Sequence, residues 1–304
     1  MSAPVSLAQS HSCRVDTHAH VFERGLPLTD SRRYAPDYDA TLDTYLQLLK
    51  THDIGRAVLV QPSFLGTDNR YLLQALSRDT HRLRGVAVVA PDASEEALAD
   101  LHGRGVTGIR LNLIEQALPD LGAKSWTPLL ERLSKLGWHV ELHRNAQDLA
   151  PMLDCLLEAG IPVVVDHFGR PDPAKGIHDP GFRSLLGYGG TGRVWVKVSG
   201  AYRCAALGSS FVHEATSQLV EHFGAERLMW GSDWPHTQYE HVMNYGQSLS
   251  TLFEVGLDTA MVDTILCATP ALFYGFEKES GNRCASSARI APSHNATACA
   301  PGSA

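Results

Sequence analysis

The sequence predicts an α/β protein, a (β/α)8 barrel of the TIM type that forms a single domain. Its 304 residues suit one such barrel. Eight short, apolar runs bounded by turn residues indicate strands, and amphipathic segments between most of them indicate helices. No GxGxxG motif follows the first run, so the alternation favours a closed barrel over an open dinucleotide-binding sheet.

Each predicted element can be placed along the chain. The predicted strands are residues 14–20, 57–62, 85–90, 108–112, 139–143, 162–167, 194–199 and 228–233. The predicted helices include residues 41–52, 69–77, 95–103, 127–136, 147–159 and 209–223. The barrel is expected to span residues 13–277. Residues 1–12 are expected to be flexible, and residues 278–304 form a small, polar, aperiodic tail that is predicted to be disordered.

Charge and composition exclude several classes of partner. The formal net charge is −7, and no run is rich in lysine or arginine, so the chain lacks the basic footprint of a nucleic-acid-binding protein. No apolar run approaches the roughly 20 residues of a membrane helix. The first residues do not resemble a secretory signal, and the six cysteines form no CxxC pair, so we expect a cytoplasmic enzyme. The expected partner is a small molecule, and the chain could also form a homo-oligomer.

Polar residues recur at the carboxyl ends of the predicted strands, where the loops of a barrel meet on one face. The residues of this kind are His18, His20, Gln61, Ser63, Arg110, Asn112, His143, Arg144, His167, Arg170, Ser199, Tyr202, Arg203, Asp233 and His236. We expect the active site to be formed by members of this set, with Ser63, Asn112 and His236 among the substrate contacts.

Histidines at two strand ends suggest a metal centre. His18 and His20 are two residues apart, so both side chains can point into the barrel mouth. With His143 and Asp233 they could form the three-nitrogen, one-oxygen site of a catalytic zinc ion, which lowers the pKa of its bound water to about 7. The alternative for any single histidine is a hydrogen-bonded core residue.

Asp233 lies where a carboxylate could act as general base and then general acid, whether or not it binds a metal. The alternative is a helix N-cap, because a proline follows shortly after it. Arg110, Arg170 and Arg203 could hold an anionic substrate through two parallel hydrogen bonds. The alternative for these arginines is pairing with neighbouring acids, such as Asp172 for Arg170.

Four segments in this order resemble the amidohydrolase superfamily. They are VDTHAHVF in the first strand, LVQP with GTDNR after the second, DHFGRP after the sixth and MWGSDWPH at the eighth. The branch they resemble contains 2-pyrone-4,6-dicarboxylate lactonase and 4-sulfomuconolactone hydrolase. The resemblance implies hydrolysis of a small anionic lactone, with Asp233 activating water and His18, His20 and His167 around the carbonyl. His167 would then stabilise the oxyanion, and Arg110 and Arg170 would bind carboxylate.

Two positions depart from the dicarboxylate lactonase, which has an arginine where this chain has Gln116 and a tyrosine where it has His143. That lactonase works without a metal, whereas metal-dependent relatives have a histidine on strand 5. His143 therefore favours a zinc site, and Gln116 favours 4-sulfomuconolactone or another lactone over pyrone dicarboxylate. Two alternatives stay open: a metal-dependent decarboxylase of the same superfamily, and a non-catalytic barrel that binds anions.

Overall fold

The computed structural model describes residues 13–30, 32–206 and 210–276. Within them, eight strands form one sheet in which every neighbouring pair is parallel and the spatial order is the chain order. The strands are β1 (Val15–Ala19), β2 (Arg56–Val60), β3 (Leu83–Ala87), β4 (Val106–Asn112), β5 (His139–His143), β6 (Val163–Val165), β7 (Val194–Val198) and β8 (Leu228–Trp230).

The sheet closes where the chain after β8 meets β1. The backbone N–H of His20 donates to the carbonyl of Trp234 at 2.8 Å, and the N–H of Asp233 donates to the carbonyl of His18 at 2.8 Å. These bonds join the first strand to the last, so the predicted (β/α)8 barrel is confirmed. Closure also brings Asp233 next to His18, although the two are 215 residues apart in the chain.

Helices alternate with the strands and cover the barrel. They are α1 (Leu42–Thr51), α2 (Arg70–Leu76), α3 (Glu95–Gly103), α4 (Thr127–Leu136), α5 (Leu149–Glu158), α6 (Pro180–Leu186), α7 (Phe211–Phe223), α8 (Tyr245–Glu254), α9 (Thr259–Asp263) and α10 (Thr269–Phe273). Among the described residues, no helix is long and apolar enough to cross a membrane.

The predicted strands β6 and β8 end earlier than expected, before His167 and Asp233. Both residues have positive φ angles, 50° and 60°, which a strand does not allow. The sequence analysis also placed no helix at α6 or after β8. α6 has only seven residues and starts at Pro180, so its periodic pattern is short. The predicted flexible N-terminus (1–12) and disordered tail (278–304) lie outside the described residues.

Two apolar clusters lie on the two faces of the sheet. The outer cluster combines strand residues such as Leu59 with the helices that cover them. The inner cluster fills the barrel. Its strand residues alternate along each strand with residues that face outwards, and Tyr274 and Phe276 also belong to it. Its strand members are Val15, Val58, Val60, Val86, Val164 and Met229. Because Tyr274 also contacts His139 at the start of β5, this filling lies towards the amino ends of the strands and leaves the carboxyl ends to polar residues.

His139 is a buried histidine at the amino end of the barrel, and its ring packs edge-on against Phe273 and Tyr274. Burial, helped by the Lys197 ammonium, lowers the pKa of His139 from 6.5 to about 3. Below pH 6.5 the unfolded chain therefore binds a proton that the native state excludes, and this group destabilises the fold increasingly as pH falls towards 3.

We expect His139→Phe to remove this acid-dependent loss. The free energy of unfolding of the variant, relative to the native protein, should rise by about 1.4 kcal/mol for each pH unit below 6.5. Urea titrations at pH 7, 6 and 5 measure this difference. A difference that stays constant over this range would contradict the assignment of a neutral His139.

Candidate active site

The carboxyl ends of the strands surround a cavity of about 200 Å³. Many of the residues selected from the sequence line it: His20, Ser63, Arg110, Asn112, His143, His167, Arg170, Arg203 and Asp233. His18 is fully buried next to Asp233. His236 does not line this cavity, and its Nδ1 lies 3.2 Å from the hydroxyl of Tyr202. The structure thus brings most of the predicted site together at one end of the barrel.

The two carboxylate oxygens of Asp233 have different surroundings. Oδ2 accepts hydrogen bonds from the Tyr202 hydroxyl and from Arg203 Nε, both at 2.6 Å. Oδ1 faces Nε2 of His18 and Nε2 of His167, each 3.9 Å away. Burial raises the pKa of Asp233, but Arg203 and the two histidines outweigh it and hold this pKa well below its usual range. Asp233 is therefore ionised at neutral pH, with Oδ1 available to a reactant.

The backbone is strained where it presents these side chains. His167, Arg170, Asp233 and His236 all have φ between 50° and 64°, a region that non-glycine residues rarely adopt. Such conformations cluster at functional sites because the surrounding structure must support their cost. Gly200 has φ 57°, and a Cβ there would lie 2.7 Å from Nδ1 of His167. A larger residue at position 200 would displace this imidazole.

Hydrogen bonds on Nδ1 fix the proton positions of two histidines. His20 Nδ1 lies 2.7 Å from the carbonyl of Val60, which can only accept, so Nδ1 carries the proton and Nε2 keeps a lone pair. His143 Nδ1 lies 3.1 Å from Nη2 of Arg110, which can only donate, so His143 carries its proton on Nε2. Burial lowers the pKa of His20 to about 4 and of His143 well below its usual value, so both rings are neutral at pH 7.

His18 Nδ1 faces a buried group of charged residues. The nearest atoms are Lys197 Nζ at 3.1 Å, Asp166 Oδ1 at 3.3 Å and Glu141 Oε1 at 3.4 Å. If Lys197 donates to Nδ1, then Nε2 carries the proton and donates towards the cavity. If Nδ1 donates to Asp166 or Glu141, then Nε2 offers a lone pair. The tautomer of His18 therefore decides whether it can bind a carbonyl oxygen or a metal.

The buried charges around His18 balance in pairs. Lys197 Nζ lies 2.5 Å from Glu141 Oε2, and Arg110 donates to Asp166 Oδ2 from Nε at 3.0 Å and from Nη2 at 2.8 Å. Burial, with the negative charge of Asp166, raises the pKa of Glu141, and the positive charges of Lys197 and Arg110 oppose that rise. Burial also raises the pKa of Asp166, but the interactions with His18, Arg110 and Lys197 outweigh this effect and hold the pKa well below its usual range. Asp166 is thus the more firmly ionised carboxylate.

Two sets of side chains in the described part of the protein could hold a metal ion. One is His18, His20 and Asp233, and the other is His18, Asp166 and His167, with the ligand atoms of each set within 4.8 Å of one another. Two ligand atoms of one zinc ion, each about 2.1 Å from it, can be at most about 4.2 Å apart. The 3.9 Å between His18 Nε2 and Asp233 Oδ1 meets this limit. His143, the predicted third histidine ligand, belongs to neither set.

A family model described as amidohydrolase matches residues 15–276, which is most of the chain. The protein belongs to the amidohydrolase family. The curated 4-sulfomuconolactone hydrolase of Rhizobium radiobacter is 32% identical over 284 residues, which cover 90% of this chain and 93% of that protein.

Crystal structures similar to this amidohydrolase include those of two proteins with provisional names. A Pseudomonas putida protein provisionally named 2-pyrone-4,6-dicarboxylic acid hydrolase is 48% identical, with a TM-score of 0.83 and coverage of 88% of this chain and 100% of that one. An Acinetobacter baumannii protein with the same provisional name, with citric acid bound, is 39% identical, with a TM-score of 0.84 and coverage of 86% and 99%.

The arginines of the amidohydrolase cavity fall into two groups. Arg110 is paired with Asp166, and Arg203 is paired with Asp233. The positive charges of this group are therefore neutralised.

The second group has no such partners. Arg170 forms no side-chain hydrogen bond or ion pair with any other residue from the described ranges, and Asp172, the predicted partner, pairs with Lys175 instead. Arg33, which the sequence analysis did not select, also lines the cavity and has no ion pair with a described residue. Arg33 and Arg170 are therefore the guanidinium groups available to an anion.

Sequence reasoning missed Glu141 and Lys197, which support His18. Each is a charged residue inside an apolar strand and lies two residues before a polar residue at the end of that strand, so both side chains of a pair point to the same side of the sheet. The pairs are Glu141 with His143 and Lys197 with Ser199. This alternation was available in the sequence and indicates the barrel interior. Ser199 was noted, and its Oγ lies 2.8 Å from Nδ1 of His167, where it orients the imidazole.

Proposed function

We propose that this amidohydrolase opens a small anionic lactone by attack of water on the ester carbonyl. The observation that carries the proposal is the different surroundings of the two carboxylate oxygens of Asp233. Two hydrogen bonds hold its Oδ2, whereas Oδ1 faces two imidazole nitrogens at a cavity that also contains Arg33 and Arg170. Relatives named as hydrolases of 4-sulfomuconolactone and of 2-pyrone-4,6-dicarboxylate support a lactone as the substrate class.

Asp233 acts as the general base in this mechanism. Its ionised Oδ1 accepts a proton as the oxygen of a water molecule bonds to the lactone carbonyl carbon. The tetrahedral intermediate then collapses, the bond between the carbonyl carbon and the ring oxygen breaks, and Asp233 returns the proton to the leaving oxygen. Tyr202 and Arg203 keep the carboxylate oriented through both proton transfers.

Imidazole N–H groups next to Asp233 stabilise the intermediate. Burial lowers the pKa of His167 to about 3, so this histidine is a neutral donor or acceptor at pH 7 and not an acid. When Ser199 donates to Nδ1 of His167, Nε2 carries the proton and can donate to the developing oxyanion. His143 Nε2 and, in its Lys197-bonded tautomer, His18 Nε2 are further donors at this position.

We also propose zinc as the ion that His18, His20 and Asp233 would hold. Two imidazole nitrogens and one carboxylate oxygen suit zinc better than magnesium or calcium, which prefer oxygen ligands. His20 Nε2 keeps a lone pair, and Nδ1 of His18 can donate its proton to Asp166, as the histidine ligands of zinc usually do. A bound zinc ion would supply Lewis acidity and lower the pKa of water.

The zinc proposal predicts about one equivalent of zinc per chain in protein purified without chelators. His18→Ala and His20→Ala should each lose it, because each removes one of three ligands, whereas His236→Ala should retain it. Elemental analysis measures the content directly. Full activity in a preparation without bound metal would contradict the zinc proposal and leave His18 as a hydrogen-bond donor through Nε2.

Turnover of 4-sulfomuconolactone and of 2-pyrone-4,6-dicarboxylate tests the proposed function. We expect ring opening of at least one of them, and Gln116 favours 4-sulfomuconolactone. The reaction should release one proton per ester bond and no carbon dioxide. Carbon dioxide release from an aromatic or unsaturated acid, with no opening of either lactone, would instead indicate the decarboxylase alternative.

A further inference from the structure

Arg33 lies on the loop between β1 and α1, at the edge of the cavity. Its Nη2 donates to Oδ1 of Asn112 at 3.3 Å, so the end of β4 holds the guanidinium over the cavity. Asn112 is a neutral partner, and the charge of Arg33 is therefore not cancelled by this contact. The neighbouring Arg32 donates to the carbonyl of Thr29 at 2.9 Å and does not line the cavity.

The cavity has an excess of positive charge. Arg110 and Arg203 are neutralised by Asp166 and Asp233, but Arg33 and Arg170 have no carboxylate within ion-pair distance in the described structure. Glu115 also lines the cavity and attracts Arg33, but burial and repulsion from Arg110, Arg170 and Arg203 outweigh this attraction and lower the pKa of Arg33. An anion that enters between these guanidinium groups would relieve that repulsion.

Arg33 and Arg170 come from different parts of the barrel. Arg170 follows His167 at the end of β6, next to the proposed reaction centre. Arg33 is held against the end of β4 by Asn112. A ligand with two anionic groups can therefore satisfy both arginines, with one group against Arg170 near the ester carbonyl and the other against Arg33 towards the β1–α1 loop.

We propose that Arg33 binds the second anionic group of the substrate and makes the site selective for dianionic over monoanionic ring compounds. This inference rests on the proposed function, because it uses the same cavity. The second anionic group would thus be bound by a residue of the β1–α1 loop, because this chain has the neutral Gln116 after β4 where the dicarboxylate lactonase has an arginine. Arg170 binds the other anionic group.

Binding of unreactive ring acids tests this assignment without any turnover. The probes are benzene-1,3-dicarboxylate and the two monoacids benzoate and 3-methylbenzoate, titrated calorimetrically into the native protein, Arg33→Gln and Arg32→Gln. We expect the native protein to bind the diacid most tightly. Arg33→Gln should weaken diacid binding by about five- to tenfold, since a charged hydrogen bond is lost, and should change binding of at least one monoacid less than twofold.

Arg32→Gln is the matched control, because it removes the same charge from the same loop outside the cavity, and it should leave all affinities unchanged. Arg33→Lys should recover part of the preference for the diacid. The proposal is overturned if Arg33→Gln keeps the full preference, if Arg32→Gln loses as much, or if the native protein does not prefer the diacid. Selective binding without opening of any lactone would support the Arg33 assignment and contradict the proposed function.

Discussion

Asp233→Asn is expected to lower kcat for lactone opening by about 10²- to 10⁴-fold, the usual contribution of a general base. The substitution keeps the shape of the side chain. Its amide oxygen can still accept the hydrogen bonds that Tyr202 and Arg203 now donate to Oδ2. The amide group that replaces Oδ1 cannot take a proton from water, so the loss should fall on kcat and not on substrate binding.

Two controls separate a chemical effect of Asp233→Asn from a structural one. The affinity for benzene-1,3-dicarboxylate should stay within a few fold of the native value, because Arg33 and Arg170 are untouched. Tyr202→Phe removes one bond to Oδ2 and leaves the base in place, so it should cost much less activity than Asp233→Asn. Near-native turnover by Asp233→Asn would exclude Asp233 as the base.

Lys197→Met is expected to destabilise the barrel by about 3–5 kcal/mol, the usual result of removing one partner from a buried ion pair. Lys197 is fully buried, and its ammonium lies 2.5 Å from Glu141, 3.1 Å from His18 and 3.7 Å from Asp166. Without it, the Glu141 carboxyl loses its cation inside the barrel. Urea unfolding of the variant and the native protein at pH 7 measures the difference.

Glu141 provides the matched test of this network. If the cost of Lys197→Met comes from an unpaired carboxylate, the double variant Lys197→Met, Glu141→Gln should be more stable than Lys197→Met alone. Asp166 keeps its pairing with Arg110 in both variants. A loss below about 1 kcal/mol in the single variant, or no recovery in the double variant, would show that the charges do not stabilise each other as the geometry indicates.

The barrel could be predicted because its signal is local. Each strand is a short apolar run, and most of these runs end in polar residues such as His143 or Asn112. Strand ends were less accessible to prediction at β6 and β8, because the positive φ angles of His167 and Asp233 depend on contacts made after the barrel closes. Short or proline-initiated helices such as α6 have too few turns to show a period.

The candidate site was predictable in its members and less so in their pairing. The sequence placed Arg110 and Arg203 at strand ends but could not show that Asp166 and Asp233 occupy their guanidinium groups. Those partners are 56 and 30 residues away in the chain, and only closure of the sheet sets the distances. Arg33 lies in an irregular loop, where no periodic pattern marks a residue as facing the cavity.

Oxygen transfer in a single turnover tests the central claim, that Asp233 activates water for attack on the lactone carbonyl. Enzyme in excess over the lactone is allowed to react in H₂¹⁸O, and the ring-opened product is analysed by mass spectrometry. The mechanism predicts one ¹⁸O atom in the newly formed carboxylate and none in the oxygen that leaves the ester. An unlabelled carboxylate together with an unlabelled leaving oxygen would show that Asp233 attacks the carbonyl itself. An unlabelled carboxylate together with a labelled leaving oxygen would show cleavage of the other C–O bond.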